Sequence, residues 1–151
     1  MSLGTLNILL ADDDSDDCFF FKEALVGSPI STQLTTVQDG EHLMNLLLSK
    51  TYQLPDVLFL DLNMPRKNGF ECLAEIKLSS KLQPLPVVVF STSFEKEVVN
   101  QLYQNGAQYF MRKPSEFSQF KKIILQTLII IAQKNSVQPD RENFVITLKN
   151  D

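Results

Sequence analysis

The stretch that most constrains the fold is residues 56–70, DVLFLDLNMPRKNGF. An apolar run from Val57 to Leu60 stops abruptly at Asp61, and a turn-forming loop containing Pro65 and Gly69 follows. A four-residue apolar run bounded by polar and turn residues reads as a buried strand. Strands covered on both faces are those of parallel sheets packed between helices. In open α/β sheets ligands and chemistry collect at the C-terminal strand ends, which is where Asp61 stands.

The rest of the chain repeats this pattern. Residues 6–11 (LNILLA) are apolar and end in Asp12, Asp13 and Asp14. Ser15 is a candidate cap for a helix running to about Val26, with Asp16 and Asp17 in the first turn, where the helix dipole favours them. Residues 33–38 alternate in a β-branched pattern, and Asp39-Gly40 turns into a helix with Leu43, Leu46 and Leu47 on one face. A third helix spans Gly69 to about Ser80. Pro84 and Pro86 introduce VVVF at 87–90, which ends in Ser91-Thr92-Ser93. A polar helix from Glu95 to Gln104 stops at Asn105-Gly106. Residues 108–111 (QYFM) end at Arg112-Lys113-Pro114, and Ser115 can cap a last helix to about Lys134. In that helix Phe117, Phe120, Ile124, Leu128 and Ile131 form a core stripe, while Leu125 and Ile129 fall on the otherwise polar side.

Strands alternating with helices predict an α/β parallel sheet covered on both faces, joined by right-handed crossovers. The domain spans 6–134. The tail, 135–151, is polar, with Phe144, Ile146 and Leu148 in alternation, and reads as a short added strand or an arm.

In a parallel sheet all strand C-termini share one edge. Asp12 and Asp13, Asp61, Ser91 and Lys113 therefore converge from four separate places. Packed carboxylates repel unless cations intervene. Lys113 supplies one positive charge, and Mg²⁺ (or Mn²⁺) is the natural other, being a hard cation that takes few carboxylates plus a phosphate oxygen. Asp12, Asp13 and Asp61 suit it, with the backbone carbonyl of Asn63 completing the protein ligands. Phosphoryl transfer needs in-line positioning and neutralised equatorial oxygens. Asp61 is the candidate nucleophile, with Lys113 and the Ser91 hydroxyl on the phosphoryl oxygens.

These pieces resemble the receiver domain of two-component response regulators: DD at 12–13, D at 61 followed by LNMPRKNG, ST at 91–92 and KP at 113–114. The resemblance covers roughly residues 6–134, and within the family the chain looks most like small stand-alone regulators, including those paired with bacteriophytochrome-type kinases. It implies a flavodoxin-like (βα)5 three-layer sandwich with a five-stranded sheet of order 2-1-3-4-5. Asp61 then corresponds to the phosphorylated aspartate, Asp12 and Asp13 to the acidic metal pair, and Asn63 to the residue offering its carbonyl. Ser91 matches the switch hydroxyl and Lys113 the lysine. Pro114 matches a proline commonly joined by a cis bond, and Phe110 the switch aromatic, here without a hydroxyl. Thr92 replaces a more usual small residue and crowds phosphate access. The implied partner is a sensor histidine kinase or histidine phosphotransfer protein. The implied output is the face of helix four, strand five and helix five, where Leu125 and Ile129 suggest a partner or homodimer patch.

Two other readings compete. Asp12, Asp14, Asp16 and Glu23 match an EF-hand spacing, but Asp17 occupies the place of its glycine and a strand precedes it. An aspartyl phosphatase would carry a second Asp two residues after the nucleophile, where Asn63 stands. Asp14, Asp16 and Asp17 read as helix-start acids, and His42 as a surface residue. The net charge of −4 and the absence of a dense Lys/Arg cluster argue against nucleic acid. No stretch has the roughly 18–20 apolar residues of a membrane span. With two cysteines and no visible signal peptide, a cytoplasmic signalling protein, not an enzyme in the ordinary sense, is expected.

Overall fold

The computed structural model describes residues 4–92, 95–133 and 137–148. Ser93 and the helix-to-tail junction at 134–136 lie outside the described residues. The elements run β1 (Leu6–Ala11), α1 (Ser15–Ala24), β2 (Thr32–Val37), α2 (Gly40–Leu48), β3 (Val57–Leu60) and α3 (Gly69–Leu78). They continue β4 (Val87–Ser91), α4 (Lys96–Gln104), β5 (Tyr109–Arg112), α5 (Phe117–Ala132), a 3-10 turn at Arg141–Asn143 and β6 (Val145–Ile146). The sheet order is β2-β1-β3-β4-β5-β6 and every pairing is parallel. From β1 the chain winds first to one side and then to the other. The ends of β1 and β3 therefore flank the crevice where a doubly wound sheet binds ligands.

Alternate strand residues serve opposite faces. Leu9, Leu58, Leu60, Val87, Val89 and Phe110 pack with Leu43 and Leu47 of α2, Leu73 and Ile76 of α3 and Val99 and Leu102 of α4. Ile8, Leu10, Val57, Phe59, Val88, Phe90 and Met111 face Phe21 of α1 and Phe120, Ile124 and Leu128 of α5. Phe21 sits edge-on to Phe59 and Phe90, with ring centroids 5.0 and 6.0 Å away. Each such fully buried side chain contributes about 1.5–3 kcal/mol. These layers make a flavodoxin-like core.

Three expectations are corrected. Asp14, not Ser15, caps α1: its carboxylate accepts from the N–H groups of Asp16 and Asp17, at 2.8 and 3.4 Å. A carboxylate there also meets the positive end of the helix. Glu116 precedes α5 without a side-chain cap, so Ser115 does not serve. Phe117 leaves the core stripe: it is 43% exposed and leans on Phe20, 5.9 Å away, because the chain has only just turned back from β5.

The expected five-stranded order 2-1-3-4-5 is present, and the tail adds β6 as a sixth strand beside β5. Without β6, β5 would leave an edge of unpaired backbone groups. The Phe110 N–H donates to the Phe144 carbonyl at 3.0 Å, and the fully buried Phe144 ring meets Tyr103 edge-on at 5.1 Å. Tyr103 Oη donates to the Pro139 carbonyl at 2.8 Å, and Gln138 Nε2 donates to the carbonyls of Tyr103 and Ala107 at 2.8 and 2.6 Å. These bonds tie the tail to α4 and to the start of β5.

Candidate functional site

Strand register assembles the site. Ala11 pairs with Leu60, so the next residues, Asp12 and Asp61, leave the sheet side by side. The Asp61 N–H donates to the Ala11 carbonyl at 2.9 Å and the Asp12 N–H to the Val37 carbonyl at 3.0 Å. Asp12 is fully buried and Asp61 is 5% exposed. Carboxylate oxygens of Asp12, Asp13 and Asp61 lie within 4.8 Å of one another, with Asp13 on the solvent side.

Lys113, just past β5, reaches across to this cluster. Its N–H donates to the Ser91 carbonyl at 2.9 Å, which sets the strand end. Its ammonium lies 2.9 Å from Asp12 Oδ2, 2.8 Å from Asp17 Oδ2 and 3.6 Å from Asp61 Oδ1. It also sits 4.4 Å from the centre of the Phe90 ring, a cation–π contact in a dry setting.

The loop after Asp61 is built to stay close. The Gly69 N–H donates to the Leu62 carbonyl at 3.0 Å. A Cβ on Gly69 would lie 2.4 Å from the Asp61 carbonyl oxygen, so only glycine permits this approach. Asn68 and Glu71 form a reciprocal capping box at the start of α3, with bonds of 2.9 and 3.0 Å. Arg66 holds φ +68°, and the Lys67 N–H closes a tight turn onto the Pro65 carbonyl at 2.7 Å. A left-handed conformation at a non-glycine residue beside a strand-end acid is strain of the kind found at functional sites.

The electrostatics follow from burial. Burial pushes the Asp12 carboxyl up to about 7, against the opposing pull of Lys113 and the Asp14 N–H. Burial also raises Asp61, against Lys113 and a hydrogen bond from the Asn63 N–H. Burial pulls Lys113 down, but Asp12, Asp17 and Asp61 together outweigh it and hold the ammonium above its ordinary value. The cluster thus carries more negative charge than one lysine balances, and its donors are all hard oxygens. That set suits a divalent cation of the Mg²⁺ or Mn²⁺ type.

The other expected residues fall as follows. Ser91 is buried at the end of β4, and Thr92 beside it is exposed. Asn63 is exposed next to Asp61, its N–H turned to the Asp61 carboxylate. Phe110 is fully buried in the core below β6. The expected cis bond before Pro114 is corrected: none of the described residues has a cis peptide. With that bond trans, the Lys113–Ser91 hydrogen bond still brings the ammonium to the acids. Leu125 is half-buried and Ile129 is 46% exposed, and with Lys122, Gln126, Ile130 and Gln133 they line a shallow groove on α5. His42 is exposed.

Asp17 stands in the first turn of α1, as its reading as a helix-start acid expects, and is in addition a partner of Lys113. Nothing local in the sequence distinguishes it from Asp16. Only the packing of α1 and α5 on one sheet face brings its carboxylate to the lysine.

The response regulator receiver domain model matches residues 8–125. Response regulator Rcp1 of Synechocystis sp. is 33% identical over 121 residues, which span 78% of this chain and 82% of that protein. The crystal structure of the Mn(2+)-bound form of Rcp1 superposes with a TM-score of 0.76 at 30% identity, covering 89% of this chain and 99% of that one. The phosphorylated cyanobacterial phytochrome response regulator RcpA gives a TM-score of 0.79 at 30% identity, covering 91% and 100%. The chain therefore belongs to the response regulator receiver domain family, a family of signalling domains.

Proposed function

We propose that this chain is a phosphoacceptor switch in which Asp61 takes a phosphoryl group from the phosphohistidine of a sensor kinase or histidine phosphotransfer protein. The observation that carries this reading is the position of the Lys113 ammonium, 2.9 Å from Asp12 and 3.6 Å from Asp61, in a buried cluster of acids. An Asp61 carboxylate oxygen forms the new P–O bond in line with the departing imidazole nitrogen. The Lys113 ammonium and the Ser91 hydroxyl take phosphoryl oxygens. Asp12, Asp13 and Asp61, with the Asn63 carbonyl, would hold Mg²⁺ or Mn²⁺, whose charge neutralises a phosphoryl oxygen and the surplus carboxylates. The Mn(2+)-bound form of the similar Rcp1 supports this donor set. The product, an acyl phosphate, is intrinsically labile, so the mark is temporary; the chain assists both its gain and its loss at Asp61.

The output lies in the face made by α4, β5 and α5. The phosphoryl group draws Ser91 inward, and the face around the buried Phe110 adjusts, a local charge event that biases a bistable element. Thr92 borders the entry to Asp61 and slows it. Leu125 and Ile129 form the contact patch of this face, for a partner or a second copy, so a monomeric mass with and without phosphate would remove the dimer. The signalling unit is residues 6–134, with 135–151 a tail whose residues Val145–Ile146 pair with β5. The partners are proteins, in the cytoplasm, without nucleic acid or membrane. Among the described residues no helix is long and apolar enough to cross a membrane.

The test is intact mass and Phos-tag mobility after incubation with acetyl phosphate and Mg²⁺. The wild type gains one phosphoryl group and Asp61→Asn gains none. An unmodified wild type would favour a receiver that binds its partner without phosphorylation.

A further inference from the structure

The Lys113 ammonium has three N–H donors. Two are taken by acids that receive no phosphoryl group: Asp12 Oδ2 at 2.9 Å and Asp17 Oδ2 at 2.8 Å. Asp61 Oδ1, at 3.6 Å, is beyond hydrogen-bond length but within reach of the charge. The third donor is therefore left on the side of Asp61, where a phosphoryl oxygen would arrive. The two anchoring acids differ. The Asp12 side chain is fully buried and fixed at the strand end, whereas that of Asp17 is 24% exposed on the first turn of α1. Without Asp17 the ammonium keeps one anchor and is free to swing onto Asp61, 3.6 Å away, where it would tie up the lone pairs that must attack phosphorus.

We infer that Asp17 is a positioning residue for phosphoryl transfer: it holds Lys113 off Asp61 and aims the remaining N–H at the incoming phosphoryl group. This rests on the functional reading above. It assigns to α1 a part in the chemistry, since the helix carries one of the two groups that orient the lysine.

The test uses the full chain with acetyl phosphate and Mg²⁺. In the measured step an Asp61 oxygen forms a bond to phosphorus, the bond from phosphorus to the acetyl oxygen breaks, and acetate leaves with the electron pair. Rates of phosphorylation are taken across donor concentrations for wild type, Asp17→Asn and Asp17→Ala. Loss of a charge-assisted anchor is expected to slow the step at saturating donor by about tenfold in Asp17→Ala. Asp17→Asn, which keeps an acceptor oxygen, should lose less, and half-saturation should stay unchanged in both. Thermal melts check that both variants fold, as a first-turn acid whose side chain is 24% exposed should allow.

A double-mutant cycle with Lys113→Met separates positioning from a general structural role. In that background Asp17→Ala should cost nothing further. An equal slowing with and without Lys113 would overturn the inference, as would a wild-type rate in Asp17→Ala. A wild type that takes no phosphate would overturn the functional reading and this inference with it. A labelled wild type with unchanged Asp17 variants would overturn the inference alone.

Discussion

Asp12→Asn should stabilise the metal-free protein, and only above acidic pH. Burial pushes the Asp12 carboxyl from its ordinary 3.8 up to about 7. Below about pH 4 folded and unfolded chains both hold this proton, and the residue contributes no pH dependence. Between about 4 and 7 the folded state keeps a proton that the unfolded state has lost, so stability falls as pH rises. Above 7 the whole difference is in place. The interval spans roughly three pH units at about 1.4 kcal/mol each, which sets a ceiling of about 4 kcal/mol. Asparagine removes that cost but turns an amide N–H towards the Lys113 ammonium, an offset of about 1–3 kcal/mol. The net gain at pH 8 is then on the order of 1–3 kcal/mol, and each kcal/mol raises Tm by roughly 2–4 °C in a chain of this size. The assay is thermal unfolding by circular dichroism in EDTA at a series of pH values. Near pH 4, where only the amide offset acts, the variant should melt below wild type, and it should rise above wild type by pH 8. Mg²⁺ at pH 8 should then raise the wild-type Tm more than that of the variant, because the cation binds only the folded cluster of acids. A variant less stable than wild type at pH 8 in EDTA, or a gap that ignores pH, would refute the charge balance drawn here.

Two further outcomes test the fold around the site. Phe144→Ala should cost about 3–5 kcal/mol in urea unfolding if β6 is part of the cooperative core, and the fully buried ring predicts that it is; no loss would mean that the tail detaches freely. Gly69→Ala should cost about 1–3 kcal/mol by overpacking and slow phosphorylation, since its Cβ would meet the Asp61 carbonyl oxygen at 2.4 Å; a wild-type rate in acetyl phosphate would show that the loop gives way without moving Asp61.

The core was legible because its signals are local. Val57–Leu60 and Val87–Phe90 are apolar at every position, which only a sheet covered on both faces accommodates, and the acids and the lysine that end the strands then share an edge by topology. The helix caps were less legible. Asp14, Ser15 and Asp16 are all cap formers, and the geometry of the strand exit chose Asp14. Two features depend on distant packing and left no local mark. Asp17 meets Lys113 only because α1 and α5 cover the same face. Phe144 becomes core only because β5 needs a neighbour and Tyr103 of α4 is there to receive its ring. The alternation of Phe144, Ile146 and Leu148 was the signal for that strand, but a two-residue pairing is too short to separate from an arm by pattern alone.

The most direct test of the central claim is to locate the phosphoryl group. The protein is incubated with acetyl phosphate and Mg²⁺, the acyl phosphate is reduced with borohydride, and the peptides are sequenced by mass spectrometry. Reduction converts a phosphorylated aspartate to homoserine and leaves free carboxylates untouched. The account predicts homoserine at position 61 and aspartate still at 12, 13 and 17. Homoserine at any of those three positions, or at none in a protein shown to be folded and loaded with metal, would contradict it.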